Sequence, residues 1–565
     1  MTVRIRVSCR QIGMGRTVGL TAVATQADGR PAAGFLLLPY VNGRRWGSHE
    51  LAGADGRAIW RLPLPRPGIA EIQVEARPPA EAPSQAGTPP PAELTGGLIT
   101  RLPHLLTGYL LPDSARVSRP QRVQVQRRVL SAIRRDPDHL VGAQWCPLFT
   151  PAWFNWDTAQ AVPLVGFYRT WDTEVIRQHV IWLAESGIDF LVVDWVNQLW
   201  DKEGWEERSD AAVEVIHATT VLLEILAEMR EEGIAVPRVL LMLGLENGPR
   251  TTVRAVNGEI EWIRASYLRN PRFAGLLQEY LGKPLLLVFR GSGPLPAGDP
   301  DLPSSDEPID CREFTIRWIS AQHQVTRHHE AGAWTWMDGA LDQGVTWHQG
   351  EPEAMTASVA FFDGSGWRGE TAHGRRGGWT YLESFRRVLA HRPRLVQLHQ
   401  FQEFTGQPET PGGWYGDSYS PELSDDIEPT SLTAPAYRGD GGWGFRYLNL
   451  TRALVDLYRG ETPQTTVVAI NAPLPGQVVT GSRLEVAWAW VGARPGGFRL
   501  ELNGRTVARG LQENSATLDL SAIGRGPARL RLTAEGTVSR YALSDTEDAL
   551  PDLRLPPAQA EVLLV

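Results

Sequence analysis

The chain begins with short segments in which apolar and polar residues alternate. Segments such as VGLTAVAT and AEIQVEA recur over residues 1–78, with Gly and Asp-Gly turns between them. A period of two is typical of strands that bury one face. The pattern returns over residues 464–565, where Asn503-Gly504 predicts a hairpin turn. We therefore predict one β-sandwich domain at each end of the chain.

The central part of the chain has a different pattern. After a Pro/Ala-rich linker at residues 79–95, apolar runs alternate with helical periodicity over residues 96–463. Such alternation is typical of βα units around a parallel sheet. Eight candidate strands cover residues 141–146, 190–195, 239–246, 284–289, 314–320, 333–338, 357–363 and 394–403. The predicted fold class is α/β, with a helical lead-in, a central (β/α)8 TIM barrel and two flanking β-sandwiches.

The amino-acid composition gives no indication that the protein binds nucleic acid or spans a membrane. The 565 residues are 42% hydrophobic and 21% charged, with a net charge of −8. This balance lacks the basic footprint of nucleic-acid binding, and no apolar run is long enough for a membrane span. The N-terminus lacks the apolar core of a signal peptide, so we expect a cytoplasmic protein unless a leader has been removed. The sequence does not indicate an oligomeric state.

Carboxylates gather at the ends of the predicted strands. In a barrel of this type the active site lies at the C-terminal ends of the strands. Five of the eight predicted ends carry an acid: Asp194, Glu246, Asp338, Asp363 and Glu403. Burying a carboxylate at the end of a strand costs free energy unless it pairs with a cation or hydrogen-bond donors, so such residues are candidates for a functional role. We take Glu403, Glu246 and Asp338 as candidate catalytic residues and Asp194 as a substrate-binding residue.

Each acid also has a structural interpretation. Glu403 could pair with an arginine such as Arg376 at the rim, and Glu246 could cap a helix or form a loop salt bridge. Asp194 could cap the segment that follows it. Asp338 precedes a glycine, and Asp-Gly is a turn signal.

Aromatic and amide side chains near the same ends favour a carbohydrate substrate. The chain contains 21 Trp. Aromatic rings stack on the C–H faces of sugars, and fork-like polar groups bind their hydroxyls. The candidates are Trp145, Trp195, Trp336, Arg376, Gln400 and Gln402. His328-His329 match no strong ligand spacing, and the cysteines form no zinc motif, so no metal or cofactor is expected.

Two segments resemble glycoside hydrolase family 99 and the related WbsX-like proteins. The first is FYRTWDTEVIRQHVIWLAESGIDFLVVDW, residues 167–195, which contains Tyr168. The second runs from residue 374 to 407 and is followed by DDIEPTS, which contains Glu428. The resemblance implies a barrel glycosidase in which Tyr168 and Glu428 belong to the substrate site.

The resemblance also implies a role for Glu403 and exposes one departure. The family's closing motif has two catalytic glutamates three residues apart, and the first corresponds to Glu403, which would assist at the sugar 2-hydroxyl. The second would protonate the leaving group, but Gly406 stands at its position. The acid must then come from elsewhere, and Glu246 is our first candidate, followed by Asp338.

The predicted function is hydrolysis of a glycosidic bond in an oligo- or polysaccharide by carboxylate general acid/base catalysis. Two alternatives stay open. One is a carbohydrate-binding protein on a catalytically degenerate barrel, which the missing glutamate favours. The other is a carbohydrate lyase or transferase that uses His399 or His348 as its base.

Overall fold

The structure is a computed structural model. It describes residues 1–78, 116–130, 135–153, 156, 158–246, 250–291, 293, 295, 308–322, 326–339, 342–362, 366–367, 369–407, 415–416, 419–437, 439–540 and 558–565. The predicted linker at residues 79–95 and the predicted strand-end residue Asp363 lie outside these ranges.

The first part of the chain forms two sheets. One has the strand order β1-β3-β7 and the other β2-β9-β8-β4-β5, with β6 also paired to β4. In β3 alternate side chains are buried, as the period of two predicts. The strands are β1 Thr2–Val7, β2 Gln11–Gly13, β3 Thr17–Thr25, β4 Leu36–Val41, β5 Arg44–Arg45, β6 Glu50–Leu51, β7 Arg57–Pro63, β8 Gly68–Arg77 and β9 Gln121–Gln126.

A nearly closed, mostly parallel sheet forms the centre of the protein. Its order is β16-β15-β14-β12-β11-β10-β19-β18-β17, with β13 paired to β14. Strands β10, β11, β12, β14, β15, β16, β18 and β19 run parallel to their neighbours in this set. The bounds are β10 Leu140–Trp145, β11 Phe190–Trp195, β12 Arg238–Gly244, β13 Glu279–Tyr280, β14 Lys283–Phe289, β15 Thr315–Ser320, β16 Trp334–Thr335, β17 Thr346–His348, β18 Glu351–Ser358 and β19 Leu395–His399.

Helices return the chain between several of these strands. Asp172 caps the first helix by accepting from the Glu174 N–H, and Gly187 follows its end with a φ of 76°. The helices are α1 Thr173–Glu185, α2 Asp210–Glu231, α3 Val253–Ile263, α4 Trp379–His391 and α5 Arg446–Tyr458. An acid at the N-cap and a glycine just after the last turn are the usual start and stop signals of a helix.

Side chains bridge the gap between β16 and β18. The Thr356 hydroxyl donates to the Thr335 carbonyl at 2.6 Å. Nearer the start of β18, the buried Glu353 carboxylate accepts from Arg317 Nε at 2.9 Å and from Trp334 Nε1 at 3.1 Å. It also accepts from the Tyr280 hydroxyl at 3.0 Å. These bonds join β18 to β13, β15 and β16 where no backbone ladder connects them.

The interior of this sheet is filled by alternate residues. Phe190, Val192, Leu240, Met242 and Leu287 belong to one buried cluster. Gly142 of β10 faces the Phe190 ring, which lies where a Cβ on Gly142 would stand, 2.1 Å from the nearest ring atom. A side chain at position 142 would displace that ring, so glycine is required by close approach.

The last part of the chain forms two further sheets, ordered β29-β26-β24-β31 and β25-β32-β30-β27-β28. Asn503-Gly504 lies between β27 and β28, as predicted for a hairpin. The remaining strands are β20 Gly406–Gln407, β21 Tyr415–Gly416, β22 Pro435–Ala436, β23 Gly439–Asp440, β24 Thr465–Ala472, β25 Gln477–Val479, β26 Arg483–Gly492, β27 Gly497–Leu502, β28 Arg505–Leu511, β29 Ser515–Asp519, β30 Gly526–Glu535, β31 Val538–Arg540 and β32 Ala558–Leu564.

Three predicted strand ends differ from the structure by three residues or more. β19 ends at His399, four residues before Glu403, and β18 ends at Ser358. β16 ends at Thr335, three residues before Asp338. In each case the apolar run continues into a buried loop, and hydrophobicity alone does not distinguish a buried strand from a buried loop.

Glu353→Gln should destabilise the protein strongly. It leaves the Arg317 guanidinium, which is fully buried, without its countercharge. Breaking such a pair costs about 3–5 kcal/mol. Glu561→Gln is the matched control, since Glu561 pairs with Arg529 in solvent, and we expect a change within about 0.5 kcal/mol. Urea unfolding followed by Trp fluorescence measures both, and equal losses would contradict the bridging role of Glu353.

Candidate active site

Alternation along the strands places four polar or aromatic side chains at the top of the sheet interior. Gln144, Asp194, Trp336 and His399 share the phase of interior residues such as Leu140, Val192, Trp334 and Leu395 on the same strand or its continuation. They lie at the C-terminal ends of β10, β11, β16 and β19. This layer is where the loops that follow the strands converge.

Trp145 and Trp195 have the opposite phase. Both are 1% exposed and pack in the cluster between strands and helices. The Trp195 indole N–H donates to Thr219 Oγ1 of α2 at 2.8 Å, and the Trp145 indole N–H contacts His179 of α1 at 3.5 Å. This placement differs from the predicted role in sugar stacking, because a one-residue offset turns a strand side chain to the other face.

Glu403 lies on the loop that follows β19 and is 8% exposed. Gln400 Nε2 donates to its Oε2 at 2.5 Å, and the Cys146 thiol lies 3.4 Å from the same oxygen. Both groups donate hydrogen bonds, which favour the ionised form of a carboxylate. Cys146 follows β10 directly, so two adjacent strand ends position Glu403.

Gln402 joins these two strand ends. Its Oε1 accepts from the Cys146 N–H at 3.0 Å, and its Nε2 donates to the Cys146 carbonyl at 2.9 Å. The side chain is fully buried, so Gln402 fixes the loop that carries Glu403 from below. This buried position of Gln402 differs from its predicted role, which it shares with Gln400, in binding substrate.

Asp426 shapes the backbone of the same loop. It accepts from the N–H groups of Glu403 at 2.5 Å and Phe404 at 3.1 Å, and from the Ser424 hydroxyl at 2.8 Å. Phe404 has a φ of 57°, a conformation that needs such support in a non-glycine residue. Asp426 is fully buried and holds Glu403 at the rim.

Arg375, rather than the predicted Arg376, reaches into this region. Its Nη2 donates to the Asp426 carbonyl at 2.7 Å and to Ser424 Oγ at 3.0 Å. The guanidinium lies 3.7 Å from the centre of the Trp443 ring. Arg376 is exposed and lies over Trp379, because its φ of 46° turns the chain between the two arginines.

His399 is held in the interior by amide and ring contacts. Its Nδ1 lies 2.5 Å from Gln144 Oε1, and Gln144 Nε2 donates to the Trp336 carbonyl, which assigns the proton to Nδ1. The Trp336 ring lies edge-on at 4.4 Å. Burial lowers the pKa of His399 to about 3, so the ring is neutral.

Asp425 lies beside this histidine, with its Oδ2 3.0 Å from His399 Nε2. Burial, reinforced by the charges of Asp426 and Glu403, holds the pKa of the Asp425 carboxyl well above its usual range. Asp425 and Asp426 are neighbours in sequence, yet burial favours the neutral form of the first while the second accepts several hydrogen bonds. Their different surroundings separate their roles.

Asp194 is the partly exposed acid of the interior layer. Burial raises its pKa to about 7, and the charge of Glu403 acts in the same direction, although the Val196 N–H that donates to it at 2.8 Å opposes the shift. β10 separates β11 from β19, so Asp194 and Glu403 flank Cys146. A cavity of about 10 Å³, room for roughly one water, adjoins Asp194 and Gln198.

Glu246 and Asp338 have structural partners. Glu246 Oε2 lies 3.7 Å from Arg290 Nη2, and its carboxylate packs against Gly293. Asp338 is fully buried, and its Oδ2 accepts from the Thr335 hydroxyl at 2.8 Å and from the Gly344 N–H at 3.1 Å. These contacts match the salt-bridge and turn interpretations of the two residues.

Tyr168 and Glu428 meet below the site. The Tyr168 hydroxyl donates to Glu428 Oε2 at 2.8 Å, and His179 Nε2 lies 3.0 Å from Glu428 Oε1. Both residues are fully buried, so neither presents surface to a ligand in this structure, which differs from the predicted substrate contacts. Through Tyr168 and His179, Glu428 connects α1 and the segment before it to the loop that contains Asp426.

Sequence reasoning left Cys146, Gln144, Arg375 and Asp425 out of the site. A period of two counted forward along β10 from the interior residue Leu140 leads to Gln144. Nothing local marks the other three, because their contacts join distant parts of the chain. Among the described residues, no group of three His, Cys, Asp or Glu side chains is arranged for a metal, and no helix has the length and apolar character to cross a bilayer.

Comparison with known proteins finds likenesses to glycosidase structures. No family model and no curated protein matches the chain. A GH99 endo-alpha-mannosidase from Bacteroides thetaiotaomicron aligns with 57% of this chain and 98% of its own, at 16% identity and a TM-score of 0.40. An FMN-binding beta-glucuronidase from Facaelibacterium prausnitzii L2-6 aligns with 100% of this chain and 73% of its own, at 9% identity and a TM-score of 0.35. These TM-scores lie below 0.5, so neither fold nor activity is inferred from them.

Asp426→Asn should destabilise the protein more than Asp425→Asn. The first change weakens charge-assisted bonds to Glu403 and Phe404, each worth about 1.5–3 kcal/mol. The second replaces a carboxyl that is already neutral by an amide of the same shape, and we expect a loss below about 1 kcal/mol. Urea unfolding at pH 7 measures both variants. A larger loss for Asp425→Asn would contradict the assigned charge states.

Proposed function

We propose that this protein is a glycoside hydrolase that cleaves a glycosidic bond in an oligo- or polysaccharide. Its site would lie at the C-terminal rim of a (β/α)8 barrel within the predicted domain of residues 96–463, although β9 of that range pairs with the N-terminal strands β2 and β8. The flanking domains would be β-sandwiches at residues 1–78 and 464–565, with residues 79–95 as a linker. One observation carries the proposal: Glu403 and Asp194 flank one strand end, and their surroundings favour opposite protonation states.

Glu403 is proposed as the ionised catalytic carboxylate, acting as nucleophile or general base. The bond from Gln400 and the contact with the Cys146 thiol stabilise its negative charge. Glycoside cleavage needs such a charged group opposite the developing positive charge of the sugar ring. Gln402 and Asp426 position it through the backbone of its loop.

Asp194 is proposed as the general acid. Its pKa of about 7 leaves a large share of the side chain protonated at neutral pH, and the protonated form can protonate a leaving group. This role replaces the second glutamate of the resembled family, whose position is Gly406 here. Glu246 is the weaker candidate, because Arg290 beside it favours the ionised form of a carboxylate.

The remaining polar side chains of the site are proposed as supports. Trp336 is only partly buried and offers a ring for a sugar face, and Gln400 lies at the Glu403 carboxylate. Tyr168, Glu428 and Gln402 would hold the site from below. His399 is disfavoured as the base of a lyase, because its Nε2 faces Asp425.

Glu403→Gln should remove catalysis while leaving the fold intact. Loss of a catalytic carboxylate removes the group whose charge stabilises the transition state, and we expect kcat to fall by about 10³-fold or more. A panel of aryl glycosides and polysaccharides identifies the substrate, and Asp338→Asn, a change at a turn residue, is the comparison for general damage. Turnover by Glu403→Gln equal to that of the wild type would overturn the assignment, and tight glycan binding without product would favour the non-catalytic alternative.

Asp194 should control the alkaline side of the pH profile. If it is the acid, kcat/KM falls as pH rises through about 7, where Asp194 loses its proton, and Asp194→Asn loses both activity and this inflection. The folded state holds this proton more tightly than the unfolded chain does. The free energy of unfolding that this proton contributes is therefore lost as pH rises from about 4 to about 7. The Tm of Asp194→Asn at pH 8 should then be no lower than that of the wild type. An unchanged profile would exclude Asp194 as the acid.

A further inference from the structure

The N-terminal sheets carry an excess of positive charge. Residues 1–78 and 116–130, which form strands β1 to β9, contain 16 arginines, no lysine and five acids. The whole chain has a net charge of −8, so the remaining residues are strongly acidic. Such a charge asymmetry between two parts of one chain indicates a surface for a charged partner.

The five acids of these sheets are already engaged. Glu50 is buried and accepts hydrogen bonds from Ser431 and Thr433. The other four pair with an arginine of the same sheets, and the pairs are Asp28–Arg30, Asp55–Arg57, Glu71–Arg122 and Glu75–Arg77. These acids therefore leave the remaining arginines of the sheets without a countercharge.

Four exposed arginines of these sheets have no carboxylate partner in the described part of the chain. They are Arg4, Arg6, Arg10 and Arg119, and no ion pair or hydrogen bond joins their side chains to a described residue. Charged side chains on an edge strand such as β1 protect it from pairing with another chain. That role does not account for Arg10 and Arg119, which lie outside β1. All four side chains are accessible to an anion in solution.

Alternation along β1 directs two of these arginines to one face. Val3, Ile5 and Val7 pack against the core, so Arg4 and Arg6 point to the outer face of the sheet. Two residues along a strand span about 7 Å. β1 therefore presents two positive charges in a row to solvent.

The neighbouring strands add no acid to this outer face. Buried and exposed residues alternate along β3 and β7, as they do along β1. The outward-facing residues are Gly19, Thr21 and Val23 on β3 and Arg57, Ile59 and Arg61 on β7. An anion that approaches Arg4 and Arg6 across this face thus meets arginine and neutral side chains.

An open cleft lies beside β1, between this strand and the segment before β9. Its volume is about 670 Å³, within the roughly 300–1,000 Å³ of small-molecule sites. Arg4 and Arg119 line it, and none of the described residues that line it is an acid. Thr2 and Gln121 add a hydroxyl and an amide, and Val117 adds an apolar side chain. The cleft therefore continues the basic face of β1.

The side chains of this surface favour one class of polyanion. Single-stranded nucleic acids bind by stacking bases on aromatic rings, and no aromatic residue is among those described on this face or in the cleft. Membrane insertion needs an apolar surface, and Ile59 is the one large exposed apolar side chain described on the face. Hydroxyl and amide groups such as those of Thr2 and Gln121 suit the hydroxyls of a sugar.

We propose that this surface binds an acidic polysaccharide, a chain whose sugars carry carboxylate groups. Arg4, Arg6 and Arg119 bind the carboxylates, and Thr2 and Gln121 bind hydroxyls. The choice of a carbohydrate rests on the proposed function, whereas the charge of the surface does not. Binding here would hold a polymer on the N-terminal sheets while the candidate active site acts on it.

Calorimetric titration of the full chain with an oligogalacturonate and with its methyl ester tests the proposal. The ester keeps the sugar backbone and removes the charge, so we expect the acid form to bind about tenfold tighter or more at low salt. This binding should weaken as salt is added, because the arginines are exposed. Equal binding of the acid and the ester would overturn the proposal.

The double variant Arg4→Gln/Arg119→Gln locates the binding surface. It removes both charges of the cleft and should weaken oligogalacturonate binding about tenfold or more. The double variant Arg505→Gln/Arg509→Gln is the matched control, because both arginines are exposed on β28 and the change in net charge is the same. The control should bind as the wild type does. Equal weakening in the two double variants would overturn the assignment to the N-terminal sheets.

Two further probes test the class of partner. A DNA duplex of the same charge, or vesicles that contain phosphatidylserine, should bind more weakly than the oligogalacturonate, and tighter or equal binding of either would overturn the polysaccharide assignment. The titrations need no turnover, so they separate this inference from the proposed hydrolysis. An inactive protein that binds overturns only the hydrolysis, and an active protein that does not bind overturns only this inference.

Discussion

The closure of the central sheet depends on one buried carboxylate. β17 pairs with the first half of β18, so no backbone ladder connects β18 to β16. Glu353 spans this gap by accepting from Arg317, Trp334 and Tyr280. A buried ion pair is a weak source of stability, but losing one partner is costly, so it makes an open sheet unfavourable. Together with the bond from the Thr356 hydroxyl to the Thr335 carbonyl, these contacts hold the two edges of the nearly closed sheet near each other.

The carboxyl groups of the candidate site have different surroundings. Glu403 and Asp426 accept hydrogen bonds from several donors, whereas Asp194 and Asp425 have pKa values raised by burial. Four acids can lie in one region because not all of them carry charge at neutral pH. Hydrogen-bond donors stabilise charge on Glu403 and Asp426, and the raised pKa values of Asp194 and Asp425 reduce repulsion near neutral pH.

The N-terminal sheets contact the same region from outside. Glu50 of β6 accepts from Ser431 and Thr433, just after the segment that contains Asp426 and Glu428. His49 Nε2 lies 3.1 Å from the Pro435 carbonyl. Glu185 at the end of α1 pairs with Arg128, which follows β9. The N-terminal sheets therefore support the loop that shapes the Glu403 backbone.

The sequence by itself determined the regular elements. An apolar run predicted β11 at its observed bounds and Asn503-Gly504 predicted a hairpin, because both depend on neighbours within a few residues. It also singled out Glu403 and the amides around it. Only the tertiary structure decided that Trp145 and Trp195 face the helices, that Arg375 rather than Arg376 turns inward, and that the charge of Glu403 acts on Asp194. Those outcomes follow from burial and from contacts between residues tens to hundreds of positions apart, and no local pattern records them.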